Sequence, residues 1–325
     1  MIFLNILLLI TGFVLLIKGA DLFVDGSAAL AKNFKVPGLI VGLTIVALGT
    51  SAPELAVSTS AAFQGSNEIA LSNVVGSNIF NLLCVLGVCA IIHSVPVDNG
   101  IIKRDFPVSI LTTIFVLAMT CGKAIITGGA FDHNMDENVG EVGRITGVII
   151  IAMFIAYIIY LIADAGKNPE KEEETANTPI LKCAVLILIG LVMIIGGGQS
   201  VVNSAKYIAR AAGMTETLIG LTIVAVGTSL PELVTSIVAA RKGETGLAIG
   251  NAVGSNIFNL LLILGVSAVI HPVAVNLASL YDMIILIVIS VITYIFAFTK
   301  RKISRIEGIC MVMIYIADVV FAAIR

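Results

Sequence analysis

The stretch LTIVALGTSAPEL, residues 43–55, places a glutamate beside a proline inside an otherwise apolar segment. It recurs as LTIVAVGTSLPEL at residues 221–233, where 11 of 13 positions are identical. The same offset of 178 residues aligns SNVVGSNIFNLL (72–83) with GNAVGSNIFNLL (250–261), where 10 of 12 positions are identical. Two motif pairs at one ungapped offset indicate an internal duplication.

The composition indicates a membrane protein. Of the 325 residues, 58% are hydrophobic and only 12% are charged, and the mean hydropathy is +1.08. Soluble domains carry about 25% charged residues. The net charge of −2 provides no basic field for nucleic acid. The five cysteines show neither metal-type nor paired spacing, which is typical of small buried residues in membrane helices.

Apolar segments long enough to cross a hydrocarbon core of about 30 Å recur along the chain. They predict an all-α polytopic membrane protein with ten transmembrane helices, five in each copy of the duplication. The segments cover residues 2–30, 37–63, 68–92, 104–121 and 144–163, then 180–211, 216–240, 246–270, 278–298 and 304–324. An odd number of crossings per copy makes the second repeat enter the membrane from the opposite side. We therefore expect a first repeat over 1–163, a cytoplasmic linker over 164–179 and an inverted repeat over 180–325.

The distribution of basic residues gives the orientation. Loops after the odd-numbered segments hold 13 of the 19 lysines and arginines, and the opposite side holds five. The positive-inside rule assigns the 13-residue side to the cytoplasm. This predicts that both termini lie outside.

The duplicated motif predicts broken helices at the membrane midplane. Pro53 and Pro231 lack an N–H, so each removes a helical hydrogen bond, and such breaks in a membrane must be buried or line a polar cavity. Glu54 and Glu232 follow the prolines directly. Small and hydroxyl residues also serve helix packing, but a carboxylate costs about 2.5–3.5 kcal/mol at the bilayer centre and marks a functional site. Two carboxylates beside matched breaks predict a midplane ion site.

The second motif adds polar side chains to each repeat. Asn73, Ser77 and Asn81 are spaced four residues apart, so they form one helix stripe. The equivalent stripe is Asn251, Ser255 and Asn259. Each stripe is expected to face the glutamate-bearing helix of its own repeat. Hydroxyl, amide and carboxylate oxygens are hard ligands, suited to Na⁺ or Ca²⁺.

GTSAPE…GSNIFN and GTSLPE…GSNIFN resemble the paired α-repeats of the calcium/cation antiporter superfamily, in particular its prokaryotic sodium/calcium exchangers. The resemblance covers nearly the whole chain. It implies Na⁺/Ca²⁺ antiport by alternating access across the inner membrane of a prokaryote, with Na⁺ and Ca²⁺ as substrates, no cofactor and no enzymatic activity. The ligands it implies are the Ala47 and Ala225 carbonyls, Thr50, Ser51, Glu54, Ser77, Asn81, Thr228, Ser229, Glu232, Ser255 and Asn259.

One position departs from relatives of this type. Asn259 stands where archaeal exchangers of this type and potassium-dependent members carry an acid. An amide oxygen still coordinates a cation, but neither potassium dependence nor a third protonatable acid carries over. A flanking third Na⁺ would make transport electrogenic, and the sequence does not set that stoichiometry.

Other functions remain open from the sequence. A Ca²⁺/H⁺ antiporter would use the same fold, with Glu54 or Glu232 carrying the proton. A cation channel is disfavoured because inverted repeats are typical of carriers. An intramembrane enzyme is disfavoured because no H-E-x-x-H motif occurs. His93 and His271 lie about 18 Å along a helix from the asparagine stripes, which favours a role at the helix ends.

Overall fold

The structure is a computed structural model that describes residues 2–65, 68–126, 128, 134–135, 137–167, 178–214 and 225–324. It is mainly helical, as predicted. Among the described residues, seven helices are long and apolar enough to cross a membrane, and a bent pair would make an eighth span. The helices are α1 (Ile2–Phe34), α2 (Gly38–Thr50), α3 (Ala52–Phe63), α4 (Ile69–Ile92), α5 (Ile101–Ile126), α6 (Arg144–Lys167), α7 (Ile180–Ala211), α8 (Leu230–Arg241), α9 (Thr245–Ile270), α10 (Leu277–Lys300) and α11 (Arg305–Ile324).

Some expectations lie partly outside the described residues. The predicted segment 216–240 begins within 215–224, so the structure describes only a helical turn at Ala225–Gly227 and α8. Most of the predicted linker also falls outside the described residues. The predicted segment 104–121 is shorter than α5, because hydropathy marks the apolar part of a helix whereas backbone hydrogen bonding continues into its polar ends.

Helices α1 and α7 pack together through glycines. A Cβ atom on Gly12 would lie 2.9 Å from the carbonyl oxygen of Gly197, and one on Gly19 would lie 2.8 Å from that of Gly190. Only glycine permits so close an approach of the two backbones. Since the contacts run in opposite order along the two helices, α1 and α7 are antiparallel.

Two short antiparallel ladders connect the halves of the chain. Strand β1 (Val95–Pro96) pairs with β4 (Lys302–Ile303), and β2 (Asn138–Val142) pairs with β3 (Val273–Asn276). Each ladder joins a segment that follows one of the central helices to a segment of the other half. The halves therefore interlock at both ladders.

Helices α4 and α9 form the centre of the molecule. In their apolar windows 72% and 78% of residues are buried, against 17–39% in the other single-helix candidate spans of the described chain. Close glycine contacts pack each of them against a helix of the other half, Gly87 on Gly308 and Gly147 on Gly265. The polar stripes of the two repeats therefore lie inside the protein, away from lipid.

Candidate ion-binding site

Two helix breaks with the same geometry position the glutamates. Helices α2 and α3 meet at an angle of 49°, and the residue between them, Ser51, has φ −83° and ψ 7°. Ser229, which precedes α8, has φ −92° and ψ 8°. Pro53 and Pro231 occupy the first turns of α3 and α8, where a missing N–H is tolerated. The glutamate after each proline therefore lies in a helical first turn, where the helix dipole favours negative charge.

Each carboxylate is held by the break of the other repeat. Ser229 Oγ donates to Glu54 Oε1 at 3.0 Å, and Ser51 Oγ donates to Glu232 Oε1 at 2.9 Å. The exposed fractions of Glu54 and Glu232 are 0% and 1%, and the two carboxylates interact electrostatically. The duplicated motifs thus build one shared site.

The serines of the central helices complete this arrangement. Ser77 Oγ on α4 donates to Glu54 Oε1 at 3.4 Å, and Ser255 Oγ on α9 donates to Glu232 Oε1 at 3.5 Å. Ser229 Oγ also lies 3.1 Å from Ser77 Oγ. Each predicted stripe therefore faces the glutamate of its own repeat.

The first asparagine of each stripe donates a hydrogen bond to a backbone carbonyl oxygen. Asn73 Nδ2 donates to the carbonyl oxygen of Glu54 at 3.3 Å, and Asn251 Nδ2 donates to that of Glu232 at 3.2 Å. Thr50 Oγ1 donates to Asn251 Oδ1 at 2.8 Å. These asparagines support the helix breaks, and neither contacts a carboxylate oxygen in the hydrogen bonds of the described residues.

The two predicted carbonyl ligands belong to Ala47 and Ala225, and the structure describes Ala47 more completely. The Ala47 carbonyl accepts from Ser51 N at 3.0 Å and lies 3.4 Å from Thr50 Oγ1. For Ala225 the helical backbone is described, and the side chain lies outside the described atoms.

Several buried oxygens at the site lack a hydrogen-bond partner among the described residues. They are Glu54 Oε2, Glu232 Oε2, Asn81 Oδ1, Asn259 Oδ1 and Thr228 Oγ1. A buried polar atom without a partner costs about 1–3 kcal/mol. Carboxylate, amide and hydroxyl oxygens together are the ligands that Ca²⁺ and Na⁺ take. The residues present therefore fit a hard cation.

The structure also shows polar contacts that the sequence did not predict. Asn78 Nδ2 donates to the carbonyl oxygen of Asn256, and Asn256 Nδ2 donates to that of Asn78, both at 3.2 Å. A π-helical turn begins at Asn81 and another at Asn259. Both asparagines of the reciprocal pair belong to the repeated GSNIFN motif, so the repetition was the available signal.

A cavity of about 420 Å³ leads towards the site from one side. Helices α3 and α7 line it, together with Gly227, Thr228 and Pro231. Gln199 and Lys206 of α7 also contribute to its wall. Because Thr228 is a neighbour of Ser229, the cavity reaches the second helix break.

Known proteins resemble this chain over nearly its whole length. A family model described as "Sodium/calcium exchanger protein" matches residues 4–163 and 182–324. The chain is 34% identical over 353 residues to the sodium/calcium exchanger MaX1 of Methanosarcina acetivorans, covering 98% of this chain and 99% of the relative. It is 35% identical over 319 residues to the putative antiporter CaxA of Alkalimonas amylolytica, covering 94% and 95%.

The fold matches a solved exchanger over its full length. A structure of the sodium-calcium exchanger NCX_Mj, soaked with 10 mM Na⁺ and zero Ca²⁺, has a TM-score of 0.83 and 32% identity, and 100% of each chain is covered. The predicted all-α polytopic membrane fold is therefore confirmed. The chain belongs to the sodium/calcium exchanger protein family, a family of transporters.

Proposed function

We propose that this chain is a secondary antiporter that exchanges Na⁺ for Ca²⁺ by alternating access. The observation that carries the proposal is the crossed pair of buried carboxylates, in which Ser51 bonds Glu232 and Ser229 bonds Glu54. A site shared between two repeats can open towards either side when one repeat moves against the other.

Charge balance explains why the two cations exchange. Glu54 and Glu232 give the site a charge of −2 when ionised, which one Ca²⁺ or two Na⁺ neutralise. Binding both kinds of cation at once would leave excess positive charge in a low-dielectric interior, where repulsion is weakly screened. Competition for the same oxygens therefore couples the two movements.

We assign the ions to the ligand set implied by the repeated motifs. Its members share one property: each offers a hard oxygen at or next to a helix break or on a central polar stripe. They are Ala47, Thr50, Ser51, Glu54, Ser77, Asn81, Ala225, Thr228, Ser229, Glu232, Ser255 and Asn259. The unpartnered oxygens described above support this assignment.

The architecture we propose has ten transmembrane helices in two inverted five-helix repeats. Residues 1–163 form the first repeat, 164–179 a cytoplasmic linker and 180–325 the second repeat. The antiparallel packing of α1 and α7 supports inversion, because these are the first helices of the two repeats. The matched helix breaks and the two separate stretches matched by the family model support the same division.

We also propose that both termini face the exterior of a prokaryotic inner membrane. The distribution of basic residues supports this orientation. In this orientation, the cavity beside Gln199 and Lys206 lies on the exterior side of the site. The structure would then represent an outward-facing arrangement.

The test is Ca²⁺ uptake into proteoliposomes that contain the purified chain. Vesicles loaded with Na⁺ and diluted into Na⁺-free medium are compared with vesicles that carry only a proton gradient. We expect uptake in the first case and none above protein-free vesicles in the second. Uptake driven by protons and indifferent to Na⁺ would instead establish a Ca²⁺/H⁺ antiporter. Ca²⁺ flux without any counter-ion requirement would indicate a channel.

A further inference from the structure

Four asparagines meet where α4 and α9 cross, next to the glutamates. They are Asn78, Asn81, Asn256 and Asn259, and their exposed fractions are 0–1%. An offset of 178 residues relates Asn78 to Asn256 and Asn81 to Asn259. The two members of each pair are therefore equivalent in sequence, and their hydrogen bonds can be compared directly.

The amide orientation of Asn259 follows from a chain of contacts. The carbonyl oxygen of Asn256 is an acceptor only, so the side-chain nitrogen of Asn78 must face it, at 3.2 Å. The side-chain oxygen of Asn78 then faces Asn259 and accepts from its Nδ2 at 3.0 Å. Asn259 Oδ1 is therefore turned away from Asn78. This oxygen is buried and has no hydrogen-bond partner among the described residues, as expected of a cation ligand.

The equivalent contact in the other half is not made. Asn256 Nδ2 bonds the carbonyl oxygen of Asn78, which leaves Asn256 Oδ1 in the position equivalent to that of Asn78 Oδ1. Yet Asn256 Oδ1 and both amide atoms of Asn81 are buried and lack a hydrogen-bond partner among the described residues. Two equivalent side-chain hydrogen bonds are therefore possible, one between Asn78 and Asn259 and one between Asn256 and Asn81. Only the first is formed among the described residues.

We propose that Asn78 and Asn256 are positioning residues that orient the two ligand asparagines in turn. Asn78 holds Asn259 with its oxygen towards the ion when the site faces the side open in this structure. When the site faces the opposite side, the contact exchanges, and Asn256 holds Asn81. The reciprocal backbone bonds at 3.2 Å keep the Asn78 and Asn256 amides in one orientation in both states.

This inference rests on the proposed function, since it concerns ligands of the same site. It adds a distinct requirement, because an asparagine offers an oxygen on one side only and must be oriented, whereas a carboxylate offers oxygen on both sides. Asn259→Asp therefore removes the need for orientation at that position. Asn81→Asp does the same in the other half.

The experiment is a double-mutant cycle read as the apparent KM for Ca²⁺ on each face of oriented proteoliposomes. Asn78→Ala should raise the KM on the exterior face about fivefold, the effect of one lost hydrogen bond, and should have a smaller effect on the cytoplasmic face. In the Asn259→Asp background, Asn78→Ala should not raise the KM, because a carboxylate has no donor for Asn78 Oδ1 and the hydrogen bond between the two residues is already absent. Asn256→Ala is the matched variant, with the faces reversed and with Asn81→Asp as its background.

A merely structural role predicts a different result. In that case Asn78→Ala would raise KM by the same factor with Asn259 and with Asn259→Asp, and this outcome would overturn the proposal. Equal effects of Asn78→Ala on both faces would overturn the alternation. If the unsubstituted chain shows no Na⁺-dependent Ca²⁺ uptake, the proposed function itself has failed, which is distinct from either result.

A binding measurement tests the proposal in variants that no longer transport Ca²⁺. The Ca²⁺ concentration dependence of the melting temperature in detergent reports affinity for the folded state, even in a destabilised variant. Asn78→Ser serves as the second substitution, because its shorter hydroxyl keeps a polar atom and loses the amide. We expect a weakened Ca²⁺ response for Asn78→Ser with Asn259 and no weakening with Asn259→Asp. Equal weakening in both backgrounds would overturn the proposal.

Discussion

The helix breaks at Ser51 and Ser229 have nearly the same backbone angles, and each serine donates a hydrogen bond to the glutamate of the other half. The helices that follow these breaks, in contrast, differ in charge at their far ends. After α8, Lys242 Nζ lies 2.7 Å from Asp25 Oδ1 and 3.4 Å from Asp21 Oδ1. After α3, the equivalent residue is Gln64, which donates to a serine of its own helix at 2.9 Å.

The partners of this lysine also differ between the halves. Asp21 and Asp25 of α1 correspond to Gln199 and Asn203 of α7, where Gln199 Nε2 donates to Asn203 Oδ1 at 3.2 Å. One end of the molecule thus has an ion-paired connection between its first helix and a glutamate-bearing helix. The other end has neutral amides beside the cavity. The repeats are therefore alike at the helix breaks that share the site, and they differ at the far ends of the helices that follow.

A second difference concerns the start of α5. Arg104 binds Asp105 through Nε at 2.6 Å and Nη2 at 3.0 Å, and binds Asp164 through Nη1 at 2.7 Å. Tyr157 donates to the fully buried Asp105 at 2.9 Å. The residue equivalent to Asp105 in the second half is Met283. This ion-pair network therefore belongs to the first half alone.

The largest expected effect is on the feature that both halves share. Glu54→Gln and Glu232→Gln should each abolish exchange, because each removes half of the charge that neutralises Ca²⁺. An attraction between unit charges at ~4 Å is about 4 kcal/mol with an effective dielectric constant of about 20, or on the order of 1,000-fold in affinity. Na⁺-dependent Ca²⁺ uptake by proteoliposomes measures this. Wild-type rates in either variant would remove both residues from the site.

The ion-pair network should matter for stability and leave ion choice unchanged. Asp105→Ala removes one of the two ion-pair partners of Arg104 and the acceptor of the Tyr157 hydroxyl. The free energy of unfolding should therefore fall by about 1–3 kcal/mol. Melting in detergent micelles measures the loss. Lys103→Ala is the control, because Lys103 is exposed and the variant should melt like the unsubstituted chain. Equal melting of Asp105→Ala and the control would mean that the network is not a structural element of the first half.

Asn259→Asp should break the near symmetry of the site and preserve the fold. The new carboxyl can ionise and bind a proton, whereas the amide cannot. We therefore expect changed Na⁺/Ca²⁺ selectivity or a new pH dependence of exchange, with melting close to that of the unsubstituted chain. Asn81→Asp is the symmetric comparison. If neither selectivity nor pH dependence changes, position 259 does not supply a ligand.

The smallest effect is expected at the ion-paired end. Lys242→Gln removes a partly exposed pair worth about 0.2–1 kcal/mol, so the balance between outward- and inward-facing states should shift by at most about fivefold. Labelling of two single cysteines in a cysteine-free background reports this shift. Val234→Cys, at the position equivalent to Ala56 in the other half, should react faster, and Ala56→Cys, in the cavity wall, should react more slowly.

The reverse substitution is the matched control for Lys242→Gln. Gln64→Lys combined with Gln199→Asp and Asn203→Asp transfers the ion pair to the other end of the molecule. It should slow the labelling of Ala56→Cys relative to the unsubstituted chain by closing the cavity side. Unchanged labelling in both sets would show that these charges do not bias the two states.

The sequence predicted the parts of the site that depend on local chemistry. Each proline lacks the N–H that a helix interior requires and follows a Gly-Thr-Ser sequence, so Pro53 and Pro231 located both breaks. The four-residue spacing placed Ser77 on the face that turns to Glu54. The count of ten spans stays a prediction, because the described residues give seven candidate spans, or eight with the bent pair. The π turns at Asn81 and Asn259 could not be predicted, since α and π turns accept the same side chains.

By itself, the sequence determined a duplicated membrane protein with a carboxylate at each of two helix breaks. Those features follow from the composition, from the spacing of the motifs and from the backbone N–H that proline lacks. Only the tertiary structure decided that each carboxylate is held by the serine of the other repeat, and that Asn78 holds Asn259. The partners lie 175 and 181 residues apart in the chain. Contacts at such separations depend on how the two halves of the chain pack together, and no local pattern encodes that packing.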